Sequence, residues 1–74
     1  MKLKILAYLA TVTDATAADV ADALGATLPA AGMALLRLNR SGLVQRAFDP
    51  SRGSHYYALT PRGVARLNYL QRGA

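Results

Sequence analysis

The chain has no cysteine and no tryptophan, and its four acidic residues are all aspartates. The absence of cysteine excludes disulfides and thiolate metal ligands, a composition that suits a reducing compartment. No stretch approaches the roughly 20 apolar residues of a membrane-spanning helix. Lys2, Lys4 and the apolar stretch from Ile5 to Ala10 follow the order of a signal peptide, but that stretch is short and contains Tyr8. We therefore expect a cytoplasmic protein with no membrane partner.

What is present suits one small, basic domain. The 74 residues, of which 53% are hydrophobic, can bury a modest core, so we expect residues 1–74 to form a single domain. The net charge of +5 lies in the C-terminal half, where seven arginines after residue 36 face a single acid, Asp49. A compact domain with one basic half is typical of a protein that binds a polyanion, and arginine can contact phosphate or guanine with two parallel hydrogen bonds.

Helical spacing dominates the start of the chain. Apolar side chains at positions 3, 5, 6, 9 and 10 predict a helix over residues 2–11. Thr16 and Asp19 have the spacing of a capping box, in which each side chain bonds the backbone N–H of the other residue, at the start of a second helix. Gly25 is placed to end that helix, because glycine adopts the left-handed conformation that closes many helices.

A third helix follows after only a few residues. Thr27 is positioned to cap it, and the helix runs to about Arg40. Its inward stripe is predicted from apolar side chains at spacings of four and three, namely Ala31, Leu35 and Leu38. Two short helices joined by a glycine-containing turn predict a helix–turn–helix over residues 16–41.

The periodicity changes after residue 42. Two short runs separated by turn-forming residues predict a β-hairpin over residues 43–59. Thr60 and Pro61 then begin a helix over residues 60–72, with an inward stripe expected from Val64, Leu67 and Leu70. The fold class predicted from these elements is mainly α with a β-hairpin: a winged helix–turn–helix with a three-helix core, a wing and a C-terminal helix.

Two stretches carry a family resemblance that covers residues 3–70. Leu24-Gly25, Thr27, Leu35, Leu38 and Gly42-Leu43-Val44 form the first, and Tyr57-Ala58-Leu59-Thr60-Pro61-Arg62-Gly63 forms the second. Their spacing resembles the winged-helix regulators of the MarR, ArsR and PadR type. The chain length and the stretch from Gly42 to Arg46 are also similar to the very small regulators of fimbrial operons, a family with members that act on DNA together with a second, larger DNA-binding protein.

The resemblance implies that the third helix lies in the major groove of duplex DNA and that the hairpin contacts phosphate or the minor groove. Arg37 would then contact guanine, Arg40 phosphate, and Ala30 and Met33 the methyl groups of thymine. Family members usually carry polar residues at the positions of Ala30, Gly32 and Met33, so the third helix is unusually apolar here. The expected DNA-binding residues are Thr27, Pro29, Ala30, Met33, Arg37, Arg40, Ser51 and Arg52.

We therefore expect a sequence-preferring regulator of transcription that binds double-stranded DNA as a homodimer. The dimer would pair through the first helix and the closing helix, with Leu67, Tyr69 and Leu70 at the interface. No nucleophile–base pair, glycine-rich phosphate loop or metal-ligand cluster is present in the sequence, so we expect no enzyme, no cofactor and no metal. The only histidine, His55, is expected to be partly buried in a strand.

A second interpretation stays open. Met33 and Leu36 leave apolar surface on the third helix, and a contiguous apolar patch is typical of a protein-contact site. The chain could then be a protein-interaction module or a co-regulator whose partner is another DNA-binding protein.

Overall fold

The computed structural model describes residues 1–73. Within these residues, three helices are followed by an antiparallel hairpin and a closing helix, so the predicted winged helix–turn–helix fold class is confirmed. The elements are α1 (Lys2–Leu9), α2 (Ala17–Leu24), α3 (Leu28–Arg40), β1 (Val44–Asp49), β2 (Ser54–Leu59) and α4 (Pro61–Arg72).

Helix α1 is shorter than the predicted 2–11, because the chain tightens after Leu9. The backbone N–H of Thr11 bonds the carbonyl of Tyr8 at 2.9 Å, and the Thr11 hydroxyl donates to the same oxygen at 2.7 Å. A bond between residues three apart belongs to a tighter turn than the α-helix, and such turns commonly close helix ends. Thr11, predicted to be the last residue of the helix, therefore belongs instead to the turn that ends it.

The two helices of the helix–turn–helix begin and end where their capping residues stand. Thr16 accepts from the N–H of Asp19 at 3.1 Å, and the Asp19 carboxylate accepts from the N–H of Thr16 at 3.0 Å, so the capping box is complete. Gly25 ends α2 in the left-handed conformation, with φ at +65°. The Thr27 hydroxyl accepts from the N–H of Ala30 at 3.3 Å at the start of α3. Caps of this kind each stabilise a helix by about 1 kcal/mol.

Helix α3 packs on the core through the stripe predicted from its spacing. Ala31, Leu35 and Leu38 are buried among side chains of α1 and α2, including Leu6 and Val20. Helices α2 and α3 meet at 114°, within the range of about 90–120° usual for a helix–turn–helix. Among residues 1–73, no single helix has the length and hydropathy to cross a membrane, and only the bent pair α2 and α3 taken together reaches that length and composition.

The segment between α1 and α2 pairs with the hairpin and joins it to the helical core. Strands β1 and β2 pair in register from Val44 opposite Leu59 to Asp49 opposite Ser54. On the other edge of β2, Ala15 and Tyr57 exchange two backbone hydrogen bonds of 3.0 and 2.8 Å. This bridge is absent from the sequence-based prediction, which treats residues 13–15 only as a break between helices. It ties the wing to the segment between α1 and α2.

Helix α4 buries only part of its predicted inward stripe, because Leu67 is buried and Leu70 half-buried but Val64 is not. Gly63 and Leu67 are buried, whereas Val64 is 45% exposed, so the prediction that Val64 lies on the inward stripe is wrong. The reason is a close approach: a Cβ at Gly63 would overlap the carbonyl oxygen of Leu43 and lie 3.1 Å from Leu59 Cδ2. The absence of a side chain at Gly63 lets α4 approach the backbone of the α3–β1 turn. This contact sets the rotation of the helix.

Thr60 anchors the start of α4 to the same turn. Its hydroxyl donates to the Gly42 carbonyl at 2.6 Å and accepts from the N–H of Gly63 at 3.0 Å. Its own N–H donates to the Leu43 carbonyl at 3.2 Å. The base of the wing is therefore held by hydrogen bonds to α4 as well as by buried side chains.

His55 is exposed, so the prediction of a partly buried position is wrong. It stands opposite Phe48 in the hairpin, and the two rings pack edge to face with centroids 5.1 Å apart. Phe48 is itself 54% exposed. The face that carries Val44, Leu59 and Tyr57 onto the core continues toward the tip beyond the reach of the core, which leaves this aromatic pair in solvent.

Candidate nucleic-acid interface

Helix α3 presents a continuous exposed face opposite its buried stripe. The side chains expected to contact DNA from this helix are all exposed, and they are Pro29, Ala30, Met33, Arg37 and Arg40. Because Ala31, Leu35 and Leu38 hold the opposite face in the core, these side chains share one outward direction. The position of this face is thus set by the packing of the core.

The charge on α3 lies at its C-terminal end. Arg37 and Arg40 occupy the last turn, and the first turn contains no acidic residue. Neither arginine forms an ion pair within residues 1–73, where both salt bridges involve Arg52. Both guanidinium groups are therefore available to an external anion.

The N-terminal half of the same face is apolar. Met33 is 51% exposed, and Leu36 is half-buried at the edge of the face. Leu28, although 55% exposed, is the first residue of the helix and lies on the side of the buried stripe. Gly32 lies in the middle of the helix, and no atom comes within 4 Å of the position that a side chain there would occupy. The packing of the fold therefore does not require glycine at this position. At its start, the helix is capped by the exposed Thr27.

The wing tip contains a cluster of polar contacts centred on Arg52. Its Nη1 and Nη2 atoms donate to the two carboxylate oxygens of Asp14 at 3.2 and 2.8 Å, and its Nε donates to Asp49 at 2.7 Å. The guanidinium carbon lies 3.6 Å from the centroid of the Tyr56 ring. Ser51 also bonds Asp49, through its N–H at 3.0 Å and its hydroxyl at 2.6 Å. Both wing residues expected to contact DNA are thus engaged within the protein.

These contacts shift the pKa values of the charged side chains in the cluster. Hydrogen bonds from Ser51, and then from Arg52, lower the pKa of Asp49 from 3.8 to about 2. The hydrogen bonds from Arg52 also lower the pKa of Asp14, and the two carboxylates raise the pKa of Arg52 above its usual value. All three groups are therefore charged at neutral pH, and together they carry a net charge of one negative unit.

The residues expected at a dimer interface do not share one environment. Leu67 is only 6% exposed and belongs to the core, so it is not available to a partner, contrary to the expectation. Leu70 is half-buried, and Tyr69 is 66% exposed. Leu67 lies on the inward stripe predicted for α4, and a side chain that is packed in the core cannot also contact a partner.

Two polar residues near this interface are missing from the sequence-based set. Asp14 reaches Arg52 across 38 positions of sequence, a contact that no local pattern indicates. Arg62 extends its side chain over Gly42, with Cδ and Nη1 3.8 and 3.9 Å from the position of a Cβ there. This places one more arginine beside the C-terminal end of α3. Among residues 1–73, no group of three or more His, Cys, Asp or Glu side chains could hold a metal ion.

Taken together, the helix–turn–helix, the exposed face of α3 and the hairpin define a winged helix–turn–helix domain. Solved structures similar to the chain include MarR-family transcription regulators. One such regulator is 32% identical over 97% of this chain and 48% of its own, with a TM-score of 0.89. A mutant of MarR from E. coli in complex with operator DNA is 26% identical over 96% of this chain and 51% of its own, with a TM-score of 0.85.

A third similar structure is a mutant of MepR from S. aureus bound to an oligodeoxyribonucleotide. It is 28% identical over 90% of this chain and 51% of its own, with a TM-score of 0.84. The chain spans about half the length of the solved structures that it matches. No protein-family model and no curated protein sequence matches it.

Proposed function

We propose that this chain is a MarR-type domain that regulates transcription by binding double-stranded DNA with a preference for certain sequences. The observation that carries the proposal is the outward face of α3, which places two unpaired arginines opposite a rigidly packed stripe. The same fold occurs in similar proteins whose solved structures contain DNA. We propose no catalytic activity and no cofactor.

In this proposal α3 lies in the major groove. Arg37 contacts guanine with two hydrogen bonds, Arg40 contacts phosphate, and Met33 and Ala30 contact thymine methyl groups. Pro29 packs against the sugar–phosphate backbone at the start of the helix. With one arginine for base readout, sequence preference per domain is modest, because a good bidentate contact discriminates by about 1–3 kcal/mol.

The remaining contacts position the domain on the duplex. The Thr27 hydroxyl accepts a backbone hydrogen bond, which leaves its proton free to donate to a phosphate at the helix N-terminus. Ser51 and Arg52 contact phosphate or the minor groove from the wing. Arg62 adds positive charge beside the end of α3 and contributes to the attraction of the backbone.

We also propose that the protein acts as a homodimer. The exposed apolar side chains of α1 and α4 supply the surface, namely Met1, Leu3, Val64 and Tyr69. Leu70 lies at its edge, whereas Leu67 supports the interface only from within the core. A two-fold dimer would select palindromic half-sites about one helical turn apart. We also propose a cytoplasmic location, in keeping with a DNA target.

The test is selection of bound sequences from a pool of random DNA duplexes. We expect a palindromic motif that contains guanine, and an affinity that falls as salt concentration rises. Arg37→Ala should remove the preference at the guanine, with a loss of roughly ten- to a hundredfold for the selected site. Arg37→Lys is the matched control, because it keeps the charge and the salt dependence but cannot form the bidentate contact. Enrichment of no motif, or binding that is indifferent to salt, would contradict the proposal.

A second candidate function rests on the apolar half of the α3 face. Met33 is more than half exposed and Leu36 is half-buried beside it, which favours contact with a protein partner such as a second DNA-binding protein. Under this alternative, Met33→Glu abolishes binding of that partner in a folded domain while the wild type shows no motif in the selection. A sharp motif from the chain alone would reject it as the main function.

A further inference from the structure

Arg52, at the tip of the wing, forms more contacts within the protein than its place in an exposed loop requires. Two donors of its guanidinium are bound by Asp14, a third is bound by Asp49, and its central carbon lies over the Tyr56 ring. The two Nη atoms that contact Asp14 form the fork that would grip a phosphate. A phosphate that bound this fork would therefore compete with Asp14 for the same two nitrogen atoms.

The position of Asp14 is set by the fold. The neighbouring Ala15 is held against β2 by two backbone hydrogen bonds with Tyr57, which aligns the Asp14 carboxylate with the wing. The side chains of Asp14 and Arg52 are 29% and 45% exposed, so a phosphate can approach the pair from solvent. An ion pair this exposed contributes little to stability and can be exchanged.

The electrostatics favour exchange of Asp14 for phosphate over a phosphate contact beside the closed cluster. While the cluster is closed, Arg52 is outnumbered by two carboxylates, and the tip offers DNA a net negative charge. When Arg52 leaves, Asp49 keeps the hydrogen bonds from the backbone and hydroxyl of Ser51 and from the backbone N–H of Arg52. Asp14 has no other hydrogen-bond donor among residues 1–73, so the cost of the exchange falls on Asp14.

We propose that Asp14 limits the affinity of this domain for DNA by competing with phosphate for the guanidinium of Arg52. The inference rests on the proposed function, since it concerns the DNA-bound wing. Asp14 acts through Arg52 and does not itself contact DNA. Its removal should strengthen binding, which is the opposite of the effect expected for a residue that positions Arg52 productively.

The test compares Asp14→Asn with Asp22→Asn by titration of a labelled duplex at near-physiological salt. Asp22 is an exposed aspartate of α2, so its substitution removes the same charge at another place. We expect Asp14→Asn to bind about three- to fivefold more tightly, the fold-change that corresponds to release of an exposed ion pair. Asp22→Asn should change the affinity by less than about twofold, because salt screens exposed charges beyond roughly 8 Å.

Repeating both substitutions in a protein that also carries Arg52→Gln separates competition for Arg52 from the general effect of removing a negative charge. We expect the advantage of Asp14→Asn over Asp22→Asn to disappear in that background. Far-UV circular dichroism verifies the fold of each variant, and Asp14→Ser repeats the measurement with a smaller side chain.

Each result has one meaning. If the wild type binds but Asp14→Asn binds no more tightly than Asp22→Asn, or more weakly, the inference is overturned while the proposed function stands. If the advantage of Asp14→Asn persists without Arg52, the inference is also overturned. If no protein binds duplex even at about 50 mM salt, where phosphate contacts are strongest, the proposed function fails and this inference fails with it.

Discussion

The two surfaces proposed to meet DNA are held in place by different forces. Helix α3 is fixed by a stripe of fully apolar, buried side chains, Ala31, Leu35 and Leu38. The wing tip is fixed by exposed hydrogen bonds and ion pairs centred on Arg52. Burial of apolar surface is nearly independent of salt and pH, whereas exposed ion pairs are screened by salt and titrate with acid. The helix is therefore a constant element of the interface, and the wing tip is an adjustable one.

Truncation of a side chain in the buried stripe of α3 should have the largest effect on the stability of the domain. Leu35→Ala should lower the free energy of unfolding by about 2–5 kcal/mol, because Leu35 is fully buried and its removal leaves a cavity. Urea denaturation measures the loss. Met33→Ala, on the exposed face of the same helix, is the control and should cost less than about 0.5 kcal/mol. Equal losses for the two variants would show that α3 is not anchored as described.

Gly63, in the first turn of α4, and Gly32, in the middle of α3, should respond to the same substitution with opposite signs. Gly63→Ala should destabilise the domain by about 1–3 kcal/mol, because the new methyl group would overlap the Leu43 carbonyl at the base of the wing. Gly32→Ala should stabilise it by up to about 1 kcal/mol, because alanine favours the helix and the site is open. Thermal unfolding measures both changes. Stabilisation by Gly63→Ala would contradict the close contact between α4 and the α3–β1 turn.

Thr27, the cap of α3, is proposed both to stabilise the helix and to contact DNA, and substitution can separate the two roles. Thr27→Ala should lower the free energy of unfolding by about 1 kcal/mol, because the N–H of Ala30 loses its acceptor. Thr27→Ser keeps the hydroxyl and should retain both stability and DNA affinity. If Thr27→Ala weakens DNA binding with no loss of stability, the hydroxyl serves the phosphate and not the helix.

Acid should weaken the wing tip and give the smallest effect. The pKa of Asp49 is lowered from 3.8 to about 2, so its contribution to stability is complete above pH 3.8 and disappears as the pH falls toward 2. The stability of Asp49→Asn, measured by urea denaturation across that range, should fall less steeply than that of the wild type. Asp22→Asn serves as the control for loss of one charge. A slope unchanged by Asp49→Asn would show that the tip contacts do not persist in solution.

Some features were predictable because their causes lie within a few residues. The capping box of Thr16 and Asp19, the left-handed Gly25 and the stripe of α3 all depend on neighbours in sequence. They sufficed for the fold class and for the exposed set on α3. The end of α1 was missed by two residues because a side-chain hydrogen bond from Thr11 competes with helix propagation.

By itself, then, the sequence determined the helices, the hairpin and the outward face of α3, since capping and periodicity act over one or two turns. Only the tertiary structure decided the rotation of α4, where the contact of Gly63 with Leu43 buries Gly63 and leaves Val64 exposed. It also decided that Arg52 is bound by Asp14, 38 positions away. Such contacts depend on how helices and strands that are distant in sequence pack against one another, and no local sequence pattern specifies that packing.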